Sequence, residues 1–143
     1  VFYLNNLEKE LFRNIHKLTG FIKEIKICDD IVQISIDVKG KTFTSLILSS
    51  NETYKLGEKI NILFKETEVM IATVFSKVSA RNAFICKITD IKNGEILSSI
   101  SFDFYGDKIV SIITKNALLD LNCKEDEEFM WFVKSNEITI QKA

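Results

Sequence analysis

The sequence predicts an all-β protein, two small five-stranded barrels in tandem behind a short N-terminal helix. Three observations carry this expectation. Apolar and polar residues alternate with a period of two along much of the chain, the mark of half-buried strands. Turn-forming pairs recur at close intervals. One pattern is also stated twice. Gly20 and Cys86, Gly40 and Gly106, and Leu48 and Thr114 are each 66 residues apart, whereas Lys65 and Lys134, and Val69 and Ile138, are 69 apart. The change of offset puts a three-residue length difference in one loop, where such differences are easily absorbed.

Taken in order, residues 1–13 form a helix and linker, 14–74 a first repeat and 75–143 a second. Over residues 4–12, Leu4, Leu7 and Leu11 recur at helical spacing with Glu8, Lys9 and Glu10 between them. Strand periodicity begins at Ile25 and Ile27. It is clearest over 31–38, where Val32, Ile34, Ile36 and Val38 alternate with Gln33, Ser35 and Asp37. The same reading gives strands at 41–48, 59–64, 68–73, 84–91, 96–104, 108–113, 129–133 and 138–140. Asp29-Asp30, Lys39-Gly40, Asn93-Gly94 and Gly106-Asp107 mark turns between them. About five short strands per repeat fit a small closed or partly closed barrel better than a sandwich. Each repeat is too short to bury much core alone, so the two are expected to pack as one body. With no proline in the chain, sheet edges must be managed by charge or by pairing, and strand exchange between subunits is expected.

Composition narrows the function. The chain has 143 residues, 46% hydrophobic and 27% charged, with 19 basic and 20 acidic side chains and a net charge of -1. Such a balance argues against the broad basic face of a nucleic-acid-binding protein. No stretch approaches the roughly 20 apolar residues that cross a bilayer, and the segment from Val1 to Asn5 lacks the pattern of a signal peptide. A cytoplasmic location without membrane insertion is expected. Cys28, Cys86 and Cys123 are odd in number and lack C-x-x-C spacing, so they read as reduced thiols. A start at Val1 suggests a domain cut from a longer chain.

The chemistry concentrates at two cationic, hydroxyl-rich tips, Ser79-Ala80-Arg81-Asn82 and Val133-Lys134-Ser135, with Ile113-Thr114 between them in sequence. A tetrahedral dianion offers only acceptors, so its pocket must supply donors: Arg, Lys, Ser, Thr and backbone N–H groups. An Arg fork or Lys ammonium also offsets the charge whose burial is otherwise unfavourable.

These segments carry a resemblance. Ser79 to Ile88, read as Ser-Ala-Arg-Asn-Ala-Phe-Ile-Cys-Lys-Ile, then Ile113-Thr114, Leu121, Phe129 and Phe132-Val133-Lys134-Ser135-Asn136-Glu137-Ile138, resemble the Mop or TOBE molybdate-binding domain. The first repeat matches at Leu18-Thr19-Gly20-Phe21-Ile22, Gly40, Gly57, Ile60 and Phe64 to Val69, so the whole resembles the duplicated di-Mop arrangement. The resemblance implies two OB-like barrels that bind molybdate or tungstate, untransformed, at barrel or subunit interfaces of a homodimer or homotrimer. Carried over position by position, it assigns the oxyanion to Ser79, Ala80, Arg81, Thr114, Lys134 and Ser135, with Lys65 a weaker candidate. Molybdenum enters only within the oxyanion, and no residue is assigned as a metal ligand.

In the first repeat Glu66 stands opposite Ser135, Leu48 opposite Thr114 and Ile15 opposite Arg81, so that site is expected to be lost. The second repeat departs from the pattern at Cys86 and Asp126, where glycines are usual, and at Ala117, often a serine. The function implied is that of the effector domain of a molybdate-responsive transcription regulator, or of an intracellular store. DNA would be reached only through a missing upstream domain. The alternatives are the C-terminal TOBE domain of a molybdate ABC-transporter ATPase and a non-binding assembly module. Catalysis is not expected, because no nucleophile–base pair or phosphate loop is visible. His16 is a lone histidine, and neither Asp29-Asp30 nor the acidic run 125–128 follows a calcium-loop pattern.

Overall fold

The computed structural model describes residues 14–48 and 52–143. The helix expected over residues 4–12 lies outside them. Among the described residues ten strands run in order: β1 (Ile15–Cys28), β2 (Ile31–Val38), β3 (Lys41–Leu48), β4 (Lys59–Lys65), β5 (Met70–Ala72), β6 (Asn82–Asn93), β7 (Leu97–Phe104), β8 (Asp107–Thr114), β9 (Glu128–Val133) and β10 (Thr139–Lys142). They form two five-stranded sheets, ordered β10-β4-β1-β2-β3 and β5-β9-β6-β7-β8. The alternation in β2 is realised: Ile34, Ile36 and Val38 are buried while Gln33, Ser35 and Asp37 are only partly covered. β1 is longer than the sequence suggests, beginning at Ile15 because His16, Leu18 and Gly20 already alternate inward.

The repeated pattern extends to backbone detail. The pairing of β1 with β2 slips between Ile22 and Glu24, and that of β6 with β7 between Ile88 and Asp90, a bulge at the same offset of 66. The β2–β3 and β7–β8 hairpins each turn on two residues of positive φ, Lys39-Gly40 and Tyr105-Gly106. The second turn therefore sits one residue earlier than Gly106-Asp107. Gly57 and Asp126, 69 apart, both adopt positive φ, and their N–H groups donate to Ile22 O and Ile88 O at 2.7 and 2.8 Å.

The three-residue length difference falls between Leu48 and Gly57 on one side and Thr114 and Asp126 on the other. There the longer stretch holds α1 (Lys115–Leu121), which a loop assignment missed. Its seven residues are too few to display an apolar period. Thr114 caps its start and Asn122, with φ 53°, ends it.

Sheet membership does not follow chain order. One compact unit, here the β1 unit, comprises His16–Phe64, Ser79–Asn82 and Val133–Ala143. The other, the β6 unit, comprises Lys65–Val78 and Ala83–Phe132, with residues 14 and 15. β10 closes the sheet begun by β1, pairing Ile140 with Ile62, and β5 joins the sheet begun by β6, pairing Ile71 with Trp131. Each sheet thus takes a strand from the far side of the other sheet's sequence.

Within the β1 unit, Ile34, Ile36, Phe43, Ile60 and Ile62 are fully buried, and His16 packs its ring 5.0 Å from that of Phe64. His16 is thus a core residue. At Gly20 a Cβ would lie 2.3 Å from Asp37 O, so β1 approaches β2 as only glycine allows. In the β6 unit Trp131 is fully buried against Phe84 and Phe104, and its indole N–H donates to Cys86 Sγ at 3.3 Å. Cys86, where the resemblance implies a glycine, thus accepts from a tryptophan, whereas Gly20 has Ile62 at the position corresponding to Trp131. Cys86 and Cys123 are buried and Cys28 exposed, and the three form no disulfide.

Candidate functional site

In the β1 unit β3 is an edge strand, with no partner strand beyond it among the described residues. An unpaired edge leaves backbone donors and acceptors unsatisfied. Asn82, with no exposed surface, answers them: Thr44 N–H donates to Asn82 Oδ1 at 2.7 Å, and Asn82 Nδ2 donates to Thr44 O at 2.9 Å. The second Nδ2 proton reaches Val133 O at 3.1 Å. One residue on, the buried Ser45 hydroxyl donates to Ile138 O at 2.7 Å.

These bonds join the two sequence-derived tips. Asn82 ends the segment Ser79-Ala80-Arg81, and Val133 begins Lys134-Ser135. Ala80 and Ser135 are buried, at 9% and 6% exposure, while Ser79, Arg81 and Lys134 are exposed. Lys134 stands at the start of a 3-10 turn over Ser135–Glu137, closed by Glu137 N–H donating to Lys134 O at 2.9 Å. Arg81 and Lys134 thus each stand one residue from the Asn82–Val133 bond.

Thr114 and Lys65 belong to the β6 unit. The Thr114 hydroxyl accepts from Ala117 N–H at 3.1 Å, which commits one lone pair to capping α1 and leaves its own proton to donate. Lys65 starts the matching 3-10 turn Glu66–Glu68, and its N–H donates to Glu68 Oε1 at 2.9 Å. In that turn the position of Ser135 is filled by buried Glu66, whose carboxylate is the wrong charge for an oxyanion.

The units differ in charge. The β1 unit carries ten Lys and Arg against seven Asp and Glu, a net of +3, and the described part of the β6 unit seven against eleven, a net of -4. The tips lie in the cationic unit. A groove of about 390 Å³ between β3 and β10, lined by Leu46, Leu48, Tyr54, Ile138 and Glu52, is mostly apolar and suits a dianion poorly. Lys142 Nζ donates to Thr53 O at 2.6 Å and pairs with Glu58 at 3.0 Å, and its hydrogen bond to Glu58 holds that carboxyl below its usual range. No group of three or more His, Cys, Asp or Glu among the described residues could hold a metal ion.

Sequence reasoning missed the roles of Asn82, Ser45 and Ser111. The signal was a polar residue at an inward position of a strand: Asn82 in the run Asn82, Phe84, Cys86, Ile88, and Ser45 and Ser111 beside Phe43 and Ile109. Ser111 donates to Val69 O at 2.6 Å in the β6 unit, repeating the Ser45–Ile138 bond at the same two offsets.

The fold, two curled five-stranded sheets, is consistent with OB-like barrels. No family model matches the sequence. Over 64 residues the chain is 33% identical to molybdenum-pterin-binding protein 3 of Clostridium pasteurianum, a match covering 44% of this chain and 94% of that protein. The chain therefore belongs to the molybdenum-pterin-binding, or Mop, family. Among solved structures, the cytoplasmic molybdate-binding protein ModG, crystallised with molybdate bound, superposes with a TM-score of 0.83 over 92% of this chain and 96% of its own, at 18% identity. That likeness is one of fold. Apo MopII from Clostridium pasteurianum is 33% identical, covering 41% of this chain and 90% of its own, with a TM-score of 0.40.

Proposed function

We propose that the chain is a tandem pair of Mop repeats, 14–74 and 75–143, folded as OB-like barrels, that binds molybdate or tungstate reversibly and without chemistry. The observation that carries this is the joining, through Asn82 and Val133, of the two segments that bear Arg81 and Lys134, within the cationic unit. Ser79 and Ser135 supply hydroxyl donors, Ala80 its backbone N–H, and Arg81 and Lys134 charge. Thr114 contributes its free proton and Lys65 is the weaker contributor, each in an assembly of two or three copies. The module serves in the cytoplasm, as a store or as the effector part of a regulator that reaches DNA through another domain. Glu66 in place of Ser135 favours a second reading for the first repeat alone, as an assembly element that binds no oxyanion.

Titration calorimetry with molybdate, tungstate and sulfate tests the proposal. Saturable binding of the first two is expected. Lys134→Ala should weaken it about 10- to 100-fold, the worth of one charge-assisted hydrogen bond. No saturable heat, or an unchanged affinity in the variant, refutes it.

A further inference from the structure

We infer that Asn82 is the positioning residue of the oxyanion pocket, holding the main chain of Ser79–Arg81 against Val133–Lys134 while touching no ligand itself; this rests on the binding reading above. A side-chain amide offers two donors and one acceptor atom. Asn82 directs both donors and its oxygen inward, to Thr44 O, Val133 O and Thr44 N–H. It therefore has no proton left for a ligand and no surface through which to reach one.

Its bonding pattern is that of one residue of a missing strand: the amide takes both the N–H and the C=O of Thr44 on the open edge of β3. The third bond carries that register to the end of β9. Arg81 precedes this anchor by one residue and Lys134 follows Val133 by one. The two cations have long, rotatable side chains, so what fixes their common origin is the backbone, and what fixes the backbone here is an amide. Aspartate could accept from Thr44 N–H, but its second oxygen would face two carbonyl oxygens. Alanine and serine cannot span three partners.

At the corresponding position of the first repeat, 66 residues earlier, stands His16. Its ring lies against Phe64. The repeat that has Glu66 and Ile15 in place of Ser135 and Arg81 thus also lacks the amide. Asn82, Arg81 and Ser135 are present together in one repeat and replaced together in the other, which keeps Lys65 at the position of Lys134.

The test compares molybdate affinity and thermal midpoint for the parent chain, Asn82→Ala, Asn82→Ser and Ile36→Val, the last a buried control in the same unit. Ile36→Val should lower the midpoint and leave affinity alone. The Asn82 variants should lose about 10- to 100-fold in affinity, as when a supporting hydrogen bond behind a ligand-binding group is removed, with a loss of discrimination between molybdate and sulfate. Amide exchange of the parent chain supplies a check that needs no variant. Thr44 N–H should be strongly protected although β3 is an edge strand. Rapid exchange at Thr44, or Asn82 variants that bind like the parent, overturn the inference. A parent chain that binds no molybdate overturns the functional reading together with it.

Discussion

Replacing Ser111 by alanine should weaken the β6 unit by about 2 kcal/mol. Ser111 is fully buried and its hydroxyl donates to Val69 O, the carbonyl that follows the 3-10 turn leading into β5. A net hydrogen bond contributes about 1 kcal/mol, and a carbonyl stranded in the interior adds a desolvation cost, so the range is about 1–3 kcal/mol. For a chain of this size that corresponds to roughly 2–4 °C in midpoint per kcal/mol. Trp131 is the only tryptophan in the chain and is fully buried in the same unit, so its fluorescence during urea unfolding reports the loss directly. Ser45→Ala, which removes the matching bond to Ile138 O, should lower stability by a similar amount, seen by circular dichroism. If Ser111→Ala leaves the fluorescence-derived stability within about 0.5 kcal/mol of the parent, the hydroxyl is not what holds the incoming segment.

Asp126→Gly should raise stability by about 0.5 kcal/mol, since relief of left-handed strain at φ 68° exceeds the added chain entropy; Gly57→Asp should lower it, both read by urea unfolding. Gly20→Ala should cost 3 kcal/mol or more, on the order of a backbone clash that neither strand can relieve, and an unchanged thermal midpoint would contradict the close approach to Asp37 O. Burial, then the nearby Glu127 charge, pushes the Cys123 thiol up to about 11. A raised pKa of this kind favours the neutral folded form, so its contribution is present below the ordinary value of 9.0 and is lost as pH rises from there through about 11. Urea midpoints should therefore fall over that window, and at pH 8 a thiol reagent should label Cys28 rapidly and the buried Cys86 and Cys123 slowly.

Much of the fold was legible because β-strands write themselves into sequence with a short period. β2 and β3 run over the expected spans, and the offsets of 66 and 69 anticipate matching bulges and turns. What escaped was of two kinds. α1 is too short to show a helical period, and its cap, Thr114, was singled out as an anion donor rather than as a helix start. The membership of β5 and β10 could not be read from periodicity, because an apolar stripe specifies that a strand is covered without naming what covers it. The cationic tips were readable as chemistry. Asn82 was quoted within its motif, yet its three bonds depend on residues 38 and 51 positions away, a separation over which local pattern carries no information.

The trading of end strands has a bearing on assembly. A chain limited to 14–74 would possess β1–β4 but not β10, and its own β5 would lack β9. Two such chains could complete one another only by meeting in solution, with a stability that rises and falls with concentration. Covalent linkage makes the trade intramolecular, at an effective concentration on the order of millimolar. Dilution then no longer dissolves the units, and any remaining dependence on concentration reports association between whole chains.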